Sequence, residues 1–353
     1  MDRLRVCFSA LHADGFLVSH LPNIQYLCGF TGSAALLLIE RDGSTLYTDS
    51  RYTFQAKQEV SKSRVQIAKR GLLRAVGETL RRQRGRRRIA YAPSHMSVAQ
   101  RGALGEGGGS RVRWVDGGNA VEKLRAVKDA AELATMKEAA ELISEVFSGL
   151  VTRIKPGVTE LELAADIEYA IKLKGAAGPS FETIVAAGER SAWAHARPTS
   201  KPLRKNELVV FDQGAILRGY CSDMTRTVFL GRAPDNVRQM YHAVLEAQQA
   251  AKEAIRPGVA AGAVDAAARR VLRGYRLAKY FTHSTGHGLG MEVHEMPRLG
   301  RGEKTTLEEG MVVTVEPGVY VEGVGGVRIE DDVVVTSSGA RELTTAPREF
   351  LEL

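Results

Sequence analysis

The sequence predicts an α+β protein of two domains. An α/β domain covers residues 1–120, and residues 121–353 form a second domain from two similar halves with a site between them. Three observations predict this. Short apolar runs alternate with helical patterns through the first 120 or so residues, and a glycine-rich stretch separates them from the rest. Three segments of the remainder then recur, in the same order, about 100 residues further on. A chain of 353 residues is long enough for two ordinary domains and a sizeable core.

In the first domain, Ala34 to Ile39 is wholly apolar, which suits a buried strand. Asp42-Gly43 signals a hairpin turn, and Ser44 to Thr48 is the return strand. A helix over Gly71 to Leu80 and a strand over Ile89 to Ala92 bound a basic run, Arg81 to Arg88. Gly102 to Asn119 contains seven glycines, and the domain boundary is expected just after it.

The second domain opens on a helix. Asp129 with Glu132 makes a capping-box pattern, and Leu133, Met136, Ala140, Ile143, Phe147 and Leu150 follow at helical spacing. Lys155-Pro156-Gly157 ends that helix, and Thr159 with Glu162 opens the next. The segment Ile154 to Val158 recurs as Ile255 to Val259. Phe181 with His195 to Pro198 matches Phe281 with His294 to Pro297. Leu203 leading to Asp212 matches Leu307 leading to Glu316, with the acid nine residues after the leucine in both. Two copies at so long a period point to facing halves and not to a solenoid.

Composition narrows the function classes. Hydrophobic residues make up 44% and charged residues 25%, as in soluble globular proteins. No apolar run approaches the roughly 18 residues that suggest a membrane span, and no secretory signal is evident in the opening residues. Cys7, Cys28 and Cys221 are too few and scattered for a disulfide framework, so a reducing cytoplasm is the expected location. The net charge of +8 owes much to Arg81–Arg88. That run has no interleaved aromatic residue for base stacking, so it reads as a solvated connection and not a nucleic-acid site.

The chemistry lies in carboxylates. Each half has an apolar strand running into an acid, a glycine turn, and a second acid further on: Asp212 then Asp223, and Glu316 then Glu330. A hairpin brings each pair side by side, and apolar neighbours bury them. Four converging carboxylates repel one another unless cations intervene, and two divalent ions would relieve this. His287, between glycines in Thr285 to Gly290, supplies an imidazole with room for close backbone approach.

These residues carry a family resemblance. Phe211-Asp212-Gln213-Gly214-Ala215, Ser222 to Thr227, Gly286 to Gly290, Val315 to Tyr320 and Val327 to Asp331 resemble, in order and spacing, the motifs of the proline-specific pita-bread metallopeptidases. That family includes prolidase (Xaa-Pro dipeptidase) and aminopeptidase P. Leu21 to Ser33 and Tyr47 to Tyr52 are similar to its creatinase-like N-terminal domain, so the resemblance spans nearly the whole chain, with no metal ligand missing. It implies a creatinase-like α/β domain followed by a duplicated, pseudo-twofold pita-bread catalytic domain. Asp212, Asp223 and Glu330 would bind one metal; Asp223, His287, Glu316 and Glu330 would bind the other. A hydroxide bridging the ions would attack the Xaa-Pro bond, with Glu316 as general base and proton shuttle. His195 and His294 would meet the scissile carbonyl, Arg298 the substrate's C-terminal carboxylate, and Arg328 with Tyr320 would steer the ligand carboxylates.

The resemblance further implies manganese as the metal, with cobalt, zinc or iron as alternatives, a proline-containing di- or oligopeptide substrate, and a homodimer. Prolidase is favoured over aminopeptidase P on the compact first domain and Arg298. A metal-free creatinase-like hydrolase, a methionine aminopeptidase and a non-catalytic binding protein on the same fold fit less well, because the ligand set is complete and His195 to Pro198 suits proline peptidases.

Overall fold

A computed structural model describes residues 1–353, which form two compact units, Met1–Arg125 and Ala126–Leu353. In chain order the first unit contains α1 (Asp2–Ala10), β1 (Gly15–Val18), α2 (Leu21–Cys28), β2 (Ala35–Glu40), β3 (Ser44–Thr48), α3 (Thr53–Glu59), β4 (Arg64–Ile67), α4 (Leu72–Arg82), β5 (Arg87–Tyr91), α5 (Val98–Gly108) and β6 (Val112–Asp116). Helix α6 (Ala120–Ala126) follows. One six-stranded sheet runs β4-β3-β2-β1-β5-β6. The hairpin at Asp42-Gly43 forms as its turn chemistry dictates, pairing Ile39 with Ser44 and Ala35 with Thr48.

Three expectations shift here. The basic run is not wholly a connection: α4 continues to Arg82 and β5 begins at Arg87, leaving a short turn between them. The glycine-rich stretch is structured as well, carrying most of α5 and then β6. One of its glycines, Gly107, serves packing, since a Cβ on Gly77 of α4 would stand 2.7 Å from the Gly107 backbone of α5. Chain division falls at 125/126, beyond the expected 120/121, because α6 buries Val121 in the first unit's core beside Phe16 and Ile24.

The second unit continues with α7 (Ala130–Leu150), α8 (Glu160–Leu173), β7 (Gly178–Pro179), β8 (Ile184–Ala187), β9 (Glu207–Gln213), β10 (Ala215–Leu217), β11 (Tyr220–Cys221), β12 (Met224–Leu230), α9 (Asp235–Ala254) and α10 (Ala261–Gly274). It ends with β13 (Gly286–Gly288), β14 (Glu295–Leu299), β15 (Val312–Val315), β16 (Gly318–Val321), β17 (Gly325–Arg328), β18 (Asp331–Thr336), β19 (Gly339–Glu342) and β20 (Leu351–Glu352). Both capping boxes are present: Asp129 accepts from Ala131 N and Glu132 N, and Thr159 accepts from Glu162 N. Helix α7 stops at Leu150, and a 3₁₀ turn over Val151–Arg153 precedes Lys155-Pro156-Gly157.

The duplication is visible bond by bond. Gly157 N donates to Leu203 O and Leu203 N to Val158 O; Gly258 N donates to Leu307 O and Leu307 N to Val259 O, at 2.8–2.9 Å throughout. In one half, β9 and β12 pair antiparallel within the sheet β20-β12-β9-β8. In the other, β15 and β18 pair antiparallel within β14-β13-β15-β18-β19. Each half has its own apolar core. Ile143, Phe147, Ile167 and Phe211 close one, and Val244, Val264, Val313 and Val333 the other. Each such side chain is worth about 1.5–3 kcal/mol on burial. Among the described residues no helix is long and apolar enough to cross a membrane.

Candidate active site

Both strand pairs deliver acids to one cavity of about 690 Å³ in the second unit. Asp212 lies near the end of β9, directly across from Thr225 on β12, and Asp223 immediately precedes β12. Glu316 follows β15 and Glu330 precedes β18, whose Asp331 faces Val315. Asp212, Asp223 and Glu330 are buried, and His287 and Glu316 are partly so. All five line the cavity, as do His195, His294, Arg298 and Arg328; Tyr320 sits behind it.

His287 is placed by backbone crowding. A Cβ on Gly286 would overlap Thr314 O, and one on Gly288 would overlap Met296 O, so only glycine lets β13 fit between β14 and β15. His287 Nδ1 lies 3.0 Å from Gly288 O and donates to it, which leaves Nε2 with its lone pair facing the acids. Nε2 stands 3.4 Å from Glu316 Oε1 and 3.7 Å from Asp223 Oδ2. Burial pushes the imidazole pKa down, which favours that neutral form.

The electrostatics are those of a set built around cations. Asp223 and Glu330 are pushed well above the usual carboxylate range, first by burial and then by their acidic neighbours. Burial likewise raises Glu316, to about 7. Ligand atoms of Asp223, His287 and Glu330 lie within 4.8 Å of one another. Among the described residues Asp212 Oδ1 is buried without a hydrogen-bond partner, although Oδ2 accepts from Arg328. An orphaned carboxylate oxygen in such company fits a divalent ion, and oxygen ligands with one imidazole suit the first-row metals.

Arg328 organises the inner wall. It donates to Asp212 Oδ2 at 2.7 Å, Tyr320 Oη at 2.7 Å, Thr225 Oγ1 at 3.0 Å and Ala194 O at 3.1 Å. Thr225 in turn donates to Glu330 Oε2 at 2.7 Å, so one guanidinium orients a carboxylate from each half. The outer wall is looser. His294 is exposed, and its ring stacks edge-on against His287 with centroids 4.4 Å apart. Burial, then His287 and His195, lowers its pKa. Arg298 pairs with His287 across β13 and β14 and is exposed at the cavity edge. His195 is exposed on an irregular loop, whereas His294 leads straight into β14. The two histidines matched by the repeat therefore sit on different backbones.

Sequence reasoning passed over several residues here. Thr225 and Thr314 each stand two residues from an acid on the same strand face, and Thr314 Oγ1 lies 3.3 Å from Glu316 Oε1. The two-residue strand period places them on the acids' face, but it does not single them out from any other residue there. His283 was also missed, although it stands four residues before His287. It bonds Tyr320 Oη at 2.9 Å, and burial drives its pKa down to about 4. Asp332, which accepts from Asp223 N at 3.0 Å, gave no signal, because its neighbour Asp331 looks identical in sequence.

Comparison with known proteins gives a concordant picture. Residues 134–337 match the model of metallopeptidase family M24, and residues 1–127 match the creatinase/prolidase N-terminal domain. The chain is 34% identical over 339 residues to a Pyrococcus horikoshii protein named Xaa-Pro dipeptidase, covering 96% of this chain and 94% of that one. Its structure is similar to that of an Xaa-Pro dipeptidase from Bacillus anthracis, at a TM-score of 0.95 and 35% identity, over 100% of this chain and 98% of the other. An X-Pro aminopeptidase from Thermotoga maritima is similar at a TM-score of 0.89 and 37% identity, over 98% and 99%.

Proposed function

We propose, from the premise that this chain belongs to metallopeptidase family M24 and is a metallo-exopeptidase of pita-bread fold, that it hydrolyses the Xaa-Pro bond of short peptides. The observation that carries the reading is the convergence of Asp212, Asp223, His287, Glu316 and Glu330 on one cavity, with Asp212 Oδ1 left unpaired. Relatives named Xaa-Pro dipeptidase support the choice of bond.

Asp212, Asp223 and Glu330 would hold one divalent ion, and Asp223, His287, Glu316 and Glu330 a second. Such ions supply Lewis acidity toward the scissile carbonyl and an acidified attacking water. Glu316, on the cavity wall beside His287, is suited to take a proton from the attacking water and pass it to the departing proline nitrogen. His195 and His294 donate to the carbonyl oxygen as it gains charge. Arg298, exposed at the cavity edge, is suited to meet the proline carboxylate, and this favours a dipeptidase. The similarity to an X-Pro aminopeptidase supports the alternative, in which the chain beyond proline stays open. Manganese is the proposed ion, with cobalt, zinc and iron behind it, the assembly is a homodimer, and the location is the cytoplasm.

Metal analysis of the purified protein, with hydrolysis of an Xaa-Pro dipeptide and an Xaa-Pro-Xaa tripeptide, tests this. The dipeptide should be cut faster. A tripeptide cut as fast or faster moves the assignment to the aminopeptidase. Protein that binds no manganese or cobalt and cleaves neither peptide sinks both.

A further inference from the structure

Glu160, at the start of α8, is fully buried and takes no part in the cavity. Both of its oxygens are saturated. Oε1 accepts from Ala187 N at 2.9 Å and Arg190 Nε at 3.2 Å. Oε2 accepts from Arg190 Nε at 3.1 Å, Thr199 N at 2.9 Å and Thr199 Oγ1 at 2.7 Å. Every partner is a donor, so only an ionised carboxylate satisfies them all. The partners flank one segment, residues 187–199, and His195 lies inside it.

The His195 imidazole forms no hydrogen bond among the described residues and is exposed, so nothing grips it directly. Its position is set by the backbone on either side. Arg190, anchored on Glu160, also donates to Arg197 O, and Arg328 donates to Ala194 O. The peptide groups just before and just after His195–Ala196 are thus tied to two arginines, half-buried Arg190 and buried Arg328. One of these is held by Glu160 and the other by Asp212. The other half repeats the device with different residues. Buried Asp265 on α10 accepts from Thr285 and Arg269, and Arg269 donates to Phe281 O and His283 O. Two independent pairs of a buried acid with an arginine, one per half, each hold the loop that brings histidines to the cavity.

We propose that Glu160 is a positioning residue for His195: its carboxylate locks the 187–199 loop so that the otherwise unsupported imidazole meets the scissile carbonyl. This rests on the reading of His195 as a substrate contact. In Glu160→Gln the amide N–H faces either Ala187 N and Arg190 Nε or Arg190 Nε and Thr199 N, all obligate donors, so the loop loses an anchor while the side-chain shape is kept.

A double-mutant cycle on the metal-loaded enzyme tests it, using Glu160→Gln, His195→Ala and the pair, with an Xaa-Pro dipeptide as substrate. Glu160→Gln should lower kcat by about tenfold to a hundredfold, as misplacement of a contacting group does, with KM and metal content little changed. In the His195→Ala background the same substitution should cost almost nothing further. Losses that multiply, or wild-type kcat in Glu160→Gln, overturn the proposal, because a purely structural acid would act equally in both backgrounds. If Glu160→Gln does not fold, Thr199→Val removes a single donor to Glu160, and its cycle with His195→Ala decides by the same criterion. His195→Ala with undiminished activity is a different failure, since it removes His195 from the catalytic reading itself.

Discussion

Replacing Arg328 with methionine tests how the cavity tolerates so many acids. Arg328 is 3% exposed and is the only residue bonded to Asp212 Oδ2 among the described residues, at 2.7 Å. Methionine fills similar space without a donor or charge. Removing one partner of a buried pair costs about 3–5 kcal/mol, because the remaining charge is stranded. That figure applies to metal-free protein at about pH 8, where protonation cannot relieve the carboxylates fully. With metal bound, Asp212 is neutralised from its other side, so the stranded-charge penalty drops out and what is lost is hydrogen bonding to Asp212, Thr225, Tyr320 and Ala194 O, about 0.5–1.5 kcal/mol for each bond. Urea unfolding of wild type and Arg328→Met, in chelator and in saturating manganese, measures both numbers. The variant should be rescued by metal more strongly than wild type. Equal losses in the two states, or less than about 1 kcal/mol without metal, would refute the argument that Arg328 is the counter-charge of Asp212.

Thr225→Val removes the hydroxyl that aims Glu330 and should weaken metal binding about tenfold to a hundredfold, read by calorimetric titration; unchanged affinity would count against it. Above about pH 6.5, where His283, His287 and His294 are neutral in folded and unfolded chain alike, the stability of metal-free protein should fall as pH rises. Glu316 is raised to about 7 when folded, so its contribution is complete below the ordinary carboxylate pKa of about 4.5 and is lost through about 7; Asp223 and Glu330 act with the same sign. A urea midpoint that climbs between about pH 6.5 and 8 would contradict this, and metal-loaded protein should not show the decline. Gly286→Ala drives a methyl group into Thr314 O and should cost at least about 1–3 kcal/mol while lowering metal content, checked by unfolding and metal analysis together.

The acids were legible because strand patterning speaks locally. An apolar run ending in an acid, repeated with equal spacing, already implies two buried carboxylate pairs, and both pairs lie where the hairpins put them. His287 was legible through its glycines, whose absence of a Cβ is a local fact with a tertiary meaning. Thr225, His283 and Glu160 were not, because each acts on something far along the chain. Thr225 reaches Glu330, His283 reaches Tyr320, and Glu160 reaches Thr199. Threonine on a strand and glutamate opening a helix are so ordinary that only the folded backbone distinguishes them. The glycine-rich stretch misled for the opposite reason. Its composition suggests a linker, but Gly107 within it meets Gly77 and lets α4 and α5 cross closely.

The two histidines on unlike backbones have a bearing on how a peptide can enter. A cavity built from two matching hairpins is nearly the same when turned half a revolution, and a nearly symmetric host cannot tell the amino end of a guest from its carboxyl end. Peptides have a direction, and an exopeptidase must read it. That reading has to come from whatever spoils the symmetry: His287, present in one half only; His195 on its strapped loop opposite His294 on a strand; and Arg298, with no arginine at the matching position, Thr199. These departures from duplication are where substitutions should turn the substrate around or blur its orientation, while the matched acids go on holding metal.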